Sequence, residues 1–144
     1  MIKITYPSYD HRIKKEGEKA FIFDPLRKRW IRLTPEEWVR QNLLQYLLQT
    51  KQYPASLIAV EKEIRLGEMR RRFDLVVYKD ARPWLLIECK EPDVPLNESV
   101  LRQILHYNTG LQTSYLILSN GHYTRGFSIA GGVATELSSF PDFI

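Results

Sequence analysis

The chain has 144 residues, 44% of them apolar, which is the length of one domain with material for a real hydrophobic core. Its 21 Lys and Arg exceed 17 Asp and Glu for a net charge of +4, and no glycine is followed by lysine, which excludes a Walker-type phosphate loop, so any chemistry it performs is expected to proceed without an ATPase of its own. The lone cysteine, Cys89, excludes an intrachain disulfide, and no run approaches the ~20 apolar residues of a membrane span, so the expected setting is the reducing cytoplasm with no membrane partner.

Residues 1–33 carry nine Lys or Arg against four acids, whereas residues 34–144 carry twelve against thirteen. The positive excess is therefore N-terminal, where it could draw a polyanion by long-range attraction or simply keep the surface solvated. Met1 to Pro7 lacks the apolar core of a signal peptide, and the first seventeen residues read as partly irregular. Lys19–Asp24 and Arg29–Leu33 are short β-rich runs around Pro25, Leu26, Arg27 and Lys28, the pattern of a hairpin. Arg27, Lys28, Arg29 and Arg32 could meet phosphates there, or serve only to keep a sheet edge soluble. The expected organisation is a basic extension and hairpin over 1–33, then a core unit over 34–144.

Thr34 fits a helix N-cap, Pro35 the first turn, and Glu37 the third position of a Thr-x-x-Glu capping box. The 3.6-residue period gathers Val39, Leu43, Leu44, Tyr46 and Leu47 on one face through Gln49, with Glu36 near the centre of that face and Glu37 toward its flank. Either acid also suits the positive helix N-terminus. Leu57–Leu66 then alternates as a strand, and Gly67 and Glu68 turn the chain.

Phe73–Tyr78 and Trp84–Cys89 are aliphatic, β-branched and aromatic, and the polar residues 79–83 between them are few enough for a hairpin. With the turn centred on Ala81, Asp74 falls opposite Glu88, and alternation sends Lys90 to the same side while Cys89 points away. The same alternation sends Arg70 and Arg72, but not Arg71, to the Asp74 side. Cys89 reads as a small buried hydrophobe. A helix is predicted from Glu98 to Leu111, ended near Thr109 and Gly110, with Val100, Ile104, Tyr107 and Leu111 on one face and Gln103 at its border. Tyr115–Ser119 reads as a buried strand, Asn120 and Gly121 as a turn, His122–Ile129 as the next strand, and the tail as one more short strand or turn with a loose end. His11, His106 and His122 are too scattered for a zinc site. The order of elements describes an α/β domain whose sheet is covered on both faces.

Two facing carboxylates in an apolar setting repel, so the pair needs a cation or a proton. Lys90 supplies one positive charge. Asp74, Glu88 and the Cys89 backbone carbonyl would make an incomplete oxygen shell of the kind Mg²⁺ accepts beside water and phosphate oxygens. An ordinary Asp74–Lys90 ion pair with Glu88 in solvent is the plainer alternative.

Asp74 followed by Glu88-Cys89-Lys90 at the end of an apolar strand resembles the signature of the PD-(D/E)xK nuclease superfamily. More closely, Arg71–Tyr78, Leu85–Pro92, Gln103–Asn108 and Leu118–Gly121 resemble the N-terminal nuclease domain of type I restriction enzyme R subunits, over roughly Thr34 to Phe127. Phe73 stands where the superfamily name has proline, a position that carries no chemistry. The resemblance implies a restriction-endonuclease-like core, a mixed central sheet flanked by helices, preceded by the N-terminal β-hairpin. It implies catalytic roles for Asp74, Glu88, Lys90 and Gln103, the last through a Gln-x-x-x-Tyr pattern with Tyr107. It implies Mg²⁺ or Mn²⁺ on Asp74, Glu88 and the Cys89 carbonyl, with Glu36 as a first-helix glutamate near the metal. Arg70 and Arg72, on the Asp74 side by alternation, could hold a nucleic-acid backbone beside that metal or simply offset Asp74, Glu61 and Glu63, and Tyr107 would touch nucleic acid, preferentially DNA.

The function expected on these grounds is metal-dependent phosphodiester hydrolysis, with a separate motor or modification protein and a homodimer as candidate partners. The alternative is a nucleic-acid-binding or adaptor module that keeps the fold without turnover. A two-carboxylate glycosidase fits Asp74 and Glu88 formally but leaves Lys90 without a role.

Overall fold

A computed structural model describes residues 1–66, 68–107 and 113–144, apart from the side chains of Leu66, Met69 and Tyr107. Strands β1 (Ile13–Glu16), β2 (Lys19–Asp24) and β3 (Arg29–Arg32) form an antiparallel three-stranded sheet. Strands β4 (Ile58–Leu66), β5 (Met69–Lys79), β6 (Arg82–Cys89), β7 (Tyr115–Ser119), β8 (Thr124–Ala130) and β9 (Val133–Glu136) form a six-stranded sheet in that order. Only the β6–β7 pairing is parallel within it, which makes the sheet mixed. A parallel neighbour requires a long crossover, and the segment carrying helix α2 (Glu98–Tyr107) supplies it. The other helix, α1 (Pro35–Gln45), precedes the large sheet and continues into a π-helical turn over Tyr46–Thr50. The N-terminal unit therefore has one strand more than the expected hairpin, because Ile13–Glu16 pairs with Lys19–Ile22 across a tight turn.

The two helices cover opposite faces of the large sheet. Val39, Leu43, Leu44 and Leu47 pack with Leu75, Val77, Leu85, Ile87, Cys89 and Ile117 on one side. Leu101 and Ile104 pack with Phe73, Val76, Leu86, Leu116, Leu118 and Phe127 on the other. No helix among the described residues is long and apolar enough to cross a membrane. The N-terminal segment shares the first core, since Ile2 is 4% exposed and its N–H bonds the Thr124 carbonyl at 2.9 Å.

The tail is anchored rather than loose. Phe140 is buried against Tyr46 and Tyr53, Phe143 lies 5.3 Å from Trp84 between ring centroids, the Tyr53 hydroxyl donates to the Pro141 carbonyl, and Lys51 pairs with Asp142. Aromatic burial outweighs the disorder that the polar composition of this segment suggests.

The central hairpin departs from the simplest reading in an instructive way. Its turn is the two residues Asp80 and Ala81, both left-handed at φ 52° and 62°, so Lys79 pairs with Arg82 and the turn lies one step away from a centre on Ala81. A bulge between Val77 and Tyr78 then absorbs one residue and restores the expected pairing, Leu75 opposite Ile87. Two local deviations cancel, and Asp74 still arrives beside Glu88.

Candidate active site

Asp74 sits where the alternation of β5 breaks. Leu75 and Val77 face the α1 core and Val76 the α2 core, yet Phe73 also packs in the α2 core. The opposing strand is irregular at the same place, with Glu61 left-handed at φ 55°. The Asp74 carboxylate thereby reaches toward α1 while it holds the end of β6. Its Oδ2 accepts the Cys89 N–H at 2.8 Å, and its Oδ1 accepts from Arg40 at 2.7 Å. At 8% exposure, both oxygens of this carboxylate are already occupied.

Glu88 is its neighbour and its contrast. Burial and the adjacent Asp74 charge push the Glu88 carboxyl up to about 7, and Arg71 and Lys90 only partly offset this. The nearest guanidinium nitrogen, on Arg71, is 3.7 Å away. Parallel pairing with β7 holds the backbone here: Glu88 lies beside Leu118, and the Lys90 N–H donates to the Ser119 carbonyl at 2.8 Å. The Lys90 side chain is half-buried, and its charge favours the ionised forms of both Glu36 and Glu88. Its ammonium makes no ion pair within 4 Å among the described residues. Cys89 is buried and its thiol is raised well above its ordinary value by desolvation, which excludes a resting thiolate nucleophile.

The first helix contributes differently from its predicted pattern. Glu37 is 3% exposed, whereas Glu36 is exposed, the reverse of the expected placement. The Thr34 hydroxyl accepts the Glu37 N–H at 3.1 Å, as an N-cap should. The Glu37 carboxylate does not return the bond to the cap. It accepts from Arg40 Nε at 3.1 Å, Gln41 at 3.1 Å and Arg27 at 3.2 Å, because four donors already surround it and burial rewards their pairing. Glu36 still feels the neighbouring charges: burial and the Asp74 charge raise its carboxyl, and Arg40 and Lys90 lower it.

Arg40 joins these groups, bonding Glu37, Glu61 and Asp74 at once. Its guanidinium is held firmly protonated by the three carboxylates despite desolvation. The chain of charges continues to the turn between β2 and β3, where Arg27 bonds Asp24 at 2.8 Å and Gln41 bonds Asp24 at 2.9 Å. Sequence reasoning missed Arg40, and it placed Glu61 only as a counter-charge for Arg70 and Arg72. The spacing of Glu37, Arg40 and Gln41 on one helix face was a usable signal for the local part of this network, but nothing local announces partners 21 and 34 residues away in sequence.

Arg72 lies 3.6 Å from Glu61 and is exposed, as is Arg70. It is Arg71, assigned by simple alternation to the far side, that meets Glu88 and packs over the Phe73 ring at 5.7 Å. The break in alternation around Phe73 is the reason. Gln103 is exposed on α2. The Tyr107 side chain and the predicted helix end at 109–111 lie outside the described residues.

No three His, Cys, Asp or Glu side chains among the described residues are arranged to hold a metal. Two adjacent carboxylates, one of them pushed up to about 7 by burial and by the other's charge, are the oxygen donors that a hard dication would take here. Arg40 on Asp74 is the internal cation such an ion would share that carboxylate with.

Residues 35–141 match the family model for the type I restriction enzyme R protein N terminus (HSDR_N). The chain belongs to that family. No curated protein is significantly similar to it. The HSDR_N span starts at the first residue of α1, takes in the whole large sheet, and leaves the three-stranded N-terminal sheet outside. It contains every group of the carboxylate cluster except Asp24 and Arg27.

Proposed function

We propose that this restriction-enzyme-related domain is a metal-dependent nuclease of the PD-(D/E)xK type, acting on phosphodiester bonds in DNA. The observation that carries the reading is the pairing of Asp74 with a Glu88 pushed up to about 7 by burial and the Asp74 charge, next to Lys90 at the end of β6. Asp74, Glu88 and the Cys89 carbonyl would hold Mg²⁺ or Mn²⁺, which supplies Lewis-acid polarisation of a phosphate oxygen and a lowered pKa for bound water. Lys90 offers a positive charge where the attacked phosphate gains negative charge, and it can orient the nucleophilic water. Glu36, on the first turn of α1, is the further carboxylate within electrostatic reach of both Asp74 and Lys90. Arg70 and Arg72 would contact the DNA backbone, Tyr107 would contact the nucleic acid, and Gln103 would serve catalysis.

The domain would work in the cytoplasm with a separate motor or modification protein, and two copies would cut two strands. Residues 1–33 form its accessory unit and 34–144 its nuclease core. The test is cleavage of supercoiled, linear and single-stranded DNA with Mg²⁺ or Mn²⁺. Cleavage by the wild type that disappears in Lys90→Ala, with unfolding unchanged, supports the reading; equal cleavage by both proteins would sink it.

A second reading has its own observation. Both oxygens of Asp74 are taken by Arg40 and the Cys89 N–H, which suits a domain that binds nucleic acid without turnover. Metal-independent, salt-sensitive DNA binding with no cleavage on any substrate would favour it.

A further inference from the structure

We propose that the outer face of the N-terminal sheet is a binding platform for single-stranded nucleic acid, separate from the carboxylate cluster. Cross-strand partners share a face, so the register defines its rows. Lys14, Phe21 and Arg32 form one row, Phe23 and Trp30 the next, and Glu16 and Lys19 a third. Arg12 extends the second row, its guanidinium 4.4 Å from the Phe23 ring centre and 5.4 Å from Trp30. The opposite face carries Ile22, which is fully buried, so this face is the outward one.

Three aromatic rings on an outward sheet face have a large apolar cost unless something covers them. Here cations do so: Lys14 lies 4.6 Å from the Trp30 ring centre and 6.0 Å from Phe21. Phe23 and Trp30 meet edge to face at 5.4 Å, which leaves ring surface available at half-burial. The face holds Arg12, Lys14, Lys19 and Arg32 against the single acid Glu16, which Lys14 pairs at 3.1 Å. Long flexible cations over aromatic faces are the two elements that a nucleic-acid strand requires, phosphate neutralisation and base stacking. Unpaired bases offer the ring faces that such a surface takes up, whereas a duplex hides them. The platform belongs to the part of the chain with the basic excess, and it lies outside the HSDR_N span. It is therefore an addition to the proposed nuclease core, and it stands whether or not that core cleaves.

The experiment is binding of a fluorescent mixed-sequence single strand, and of its duplex, to the full chain in EDTA, so that cleavage plays no part. Single strand is expected to bind more tightly than duplex. Trp30→Leu, which keeps an apolar side chain, and Arg12→Glu should each weaken it about tenfold. Lys15→Glu makes the same charge change on the other face of β1 and should leave the single-strand affinity within about twofold, where unspecific attraction would lower it as much as Arg12→Glu does. Photocrosslinking of a bromouracil strand to the wild type, mapped to residues 19–32, needs no variant and guards against misfolding of Trp30→Leu. Equal losses for Arg12→Glu and Lys15→Glu, a preference for duplex, no binding, or crosslinks confined to 35–141 would each overturn the proposal.

Discussion

Two carboxylates meet at one end of the large sheet and have opposite surroundings. On the α1 side, Asp74 belongs to a saturated network in which Arg40 also binds Glu37 and Glu61. On the strand-end side, Glu88 has a guanidinium no nearer than 3.7 Å and is driven toward its protonated form. Close ion pairs link α1 to the sheet at Asp74, whereas at Glu88 the longer Arg71 contact only partly offsets burial and the Asp74 charge.

The largest expected effect comes from breaking the saturated side. Arg40→Ala leaves Glu37 and Asp74 buried without their common partner, and should cost about 3–5 kcal/mol in urea unfolding. A cost below about 1 kcal/mol would mean that the network adds nothing beyond solvation. Glu88→Gln should act in the opposite sense. The Glu88 pKa is raised from 4.5 to about 7 on folding, so the folded state holds more protons between those values and stability falls as pH rises through that window. The cost is absent below pH 4.5 and complete above pH 7. At pH 8 the amide variant should therefore be more stable than wild type by on the order of 1–3 kcal/mol, and near pH 4 the gain should vanish. Equal unfolding curves at both pH values would place Glu88 in water.

Smaller changes sharpen the contrast by moving the elements that carry it. Thr34→Ala removes the cap that fixes the first turn of α1, where Glu36 and Glu37 start, and should cost about 1 kcal/mol in thermal unfolding. Ala81→Gly relieves a left-handed alanine in the turn of the central hairpin and should raise stability by about 0.5 kcal/mol, with Asp74 and Glu88 undisturbed. A loss of stability there would show that the turn adopts another form.

The sequence discloses the central hairpin well, because its apolar runs and short polar turn allow few pairings. Asp74 and Glu88 were placed together although the turn lies one residue off, since the Val77–Tyr78 bulge compensates. Alternation failed for Arg71 because Phe73 breaks the pleat, a feature that depends on what β4 and α2 present to it. Helical periodicity misjudged Glu36 and Glu37 because it scores apolar burial, while Glu37 is buried by charge. Arg40 had no legible role, since its partners come from three separate elements. Family membership rests on the match over 35–141, and the proposed nuclease activity rests on Asp74, Glu88 and Lys90.

The measurement that bears most directly on this account is an NMR pH titration of the Glu88 side-chain carboxyl with and without Mg²⁺. Without the ion, the midpoint should lie near 7. With it, a dication beside Asp74 and Glu88 should bring the midpoint down by at least about one unit, in the range of an opposite charge at close approach. A Glu88 midpoint that Mg²⁺ leaves in place, or one near 4.5 from the outset, would contradict the claim that this pair is a cation-binding site.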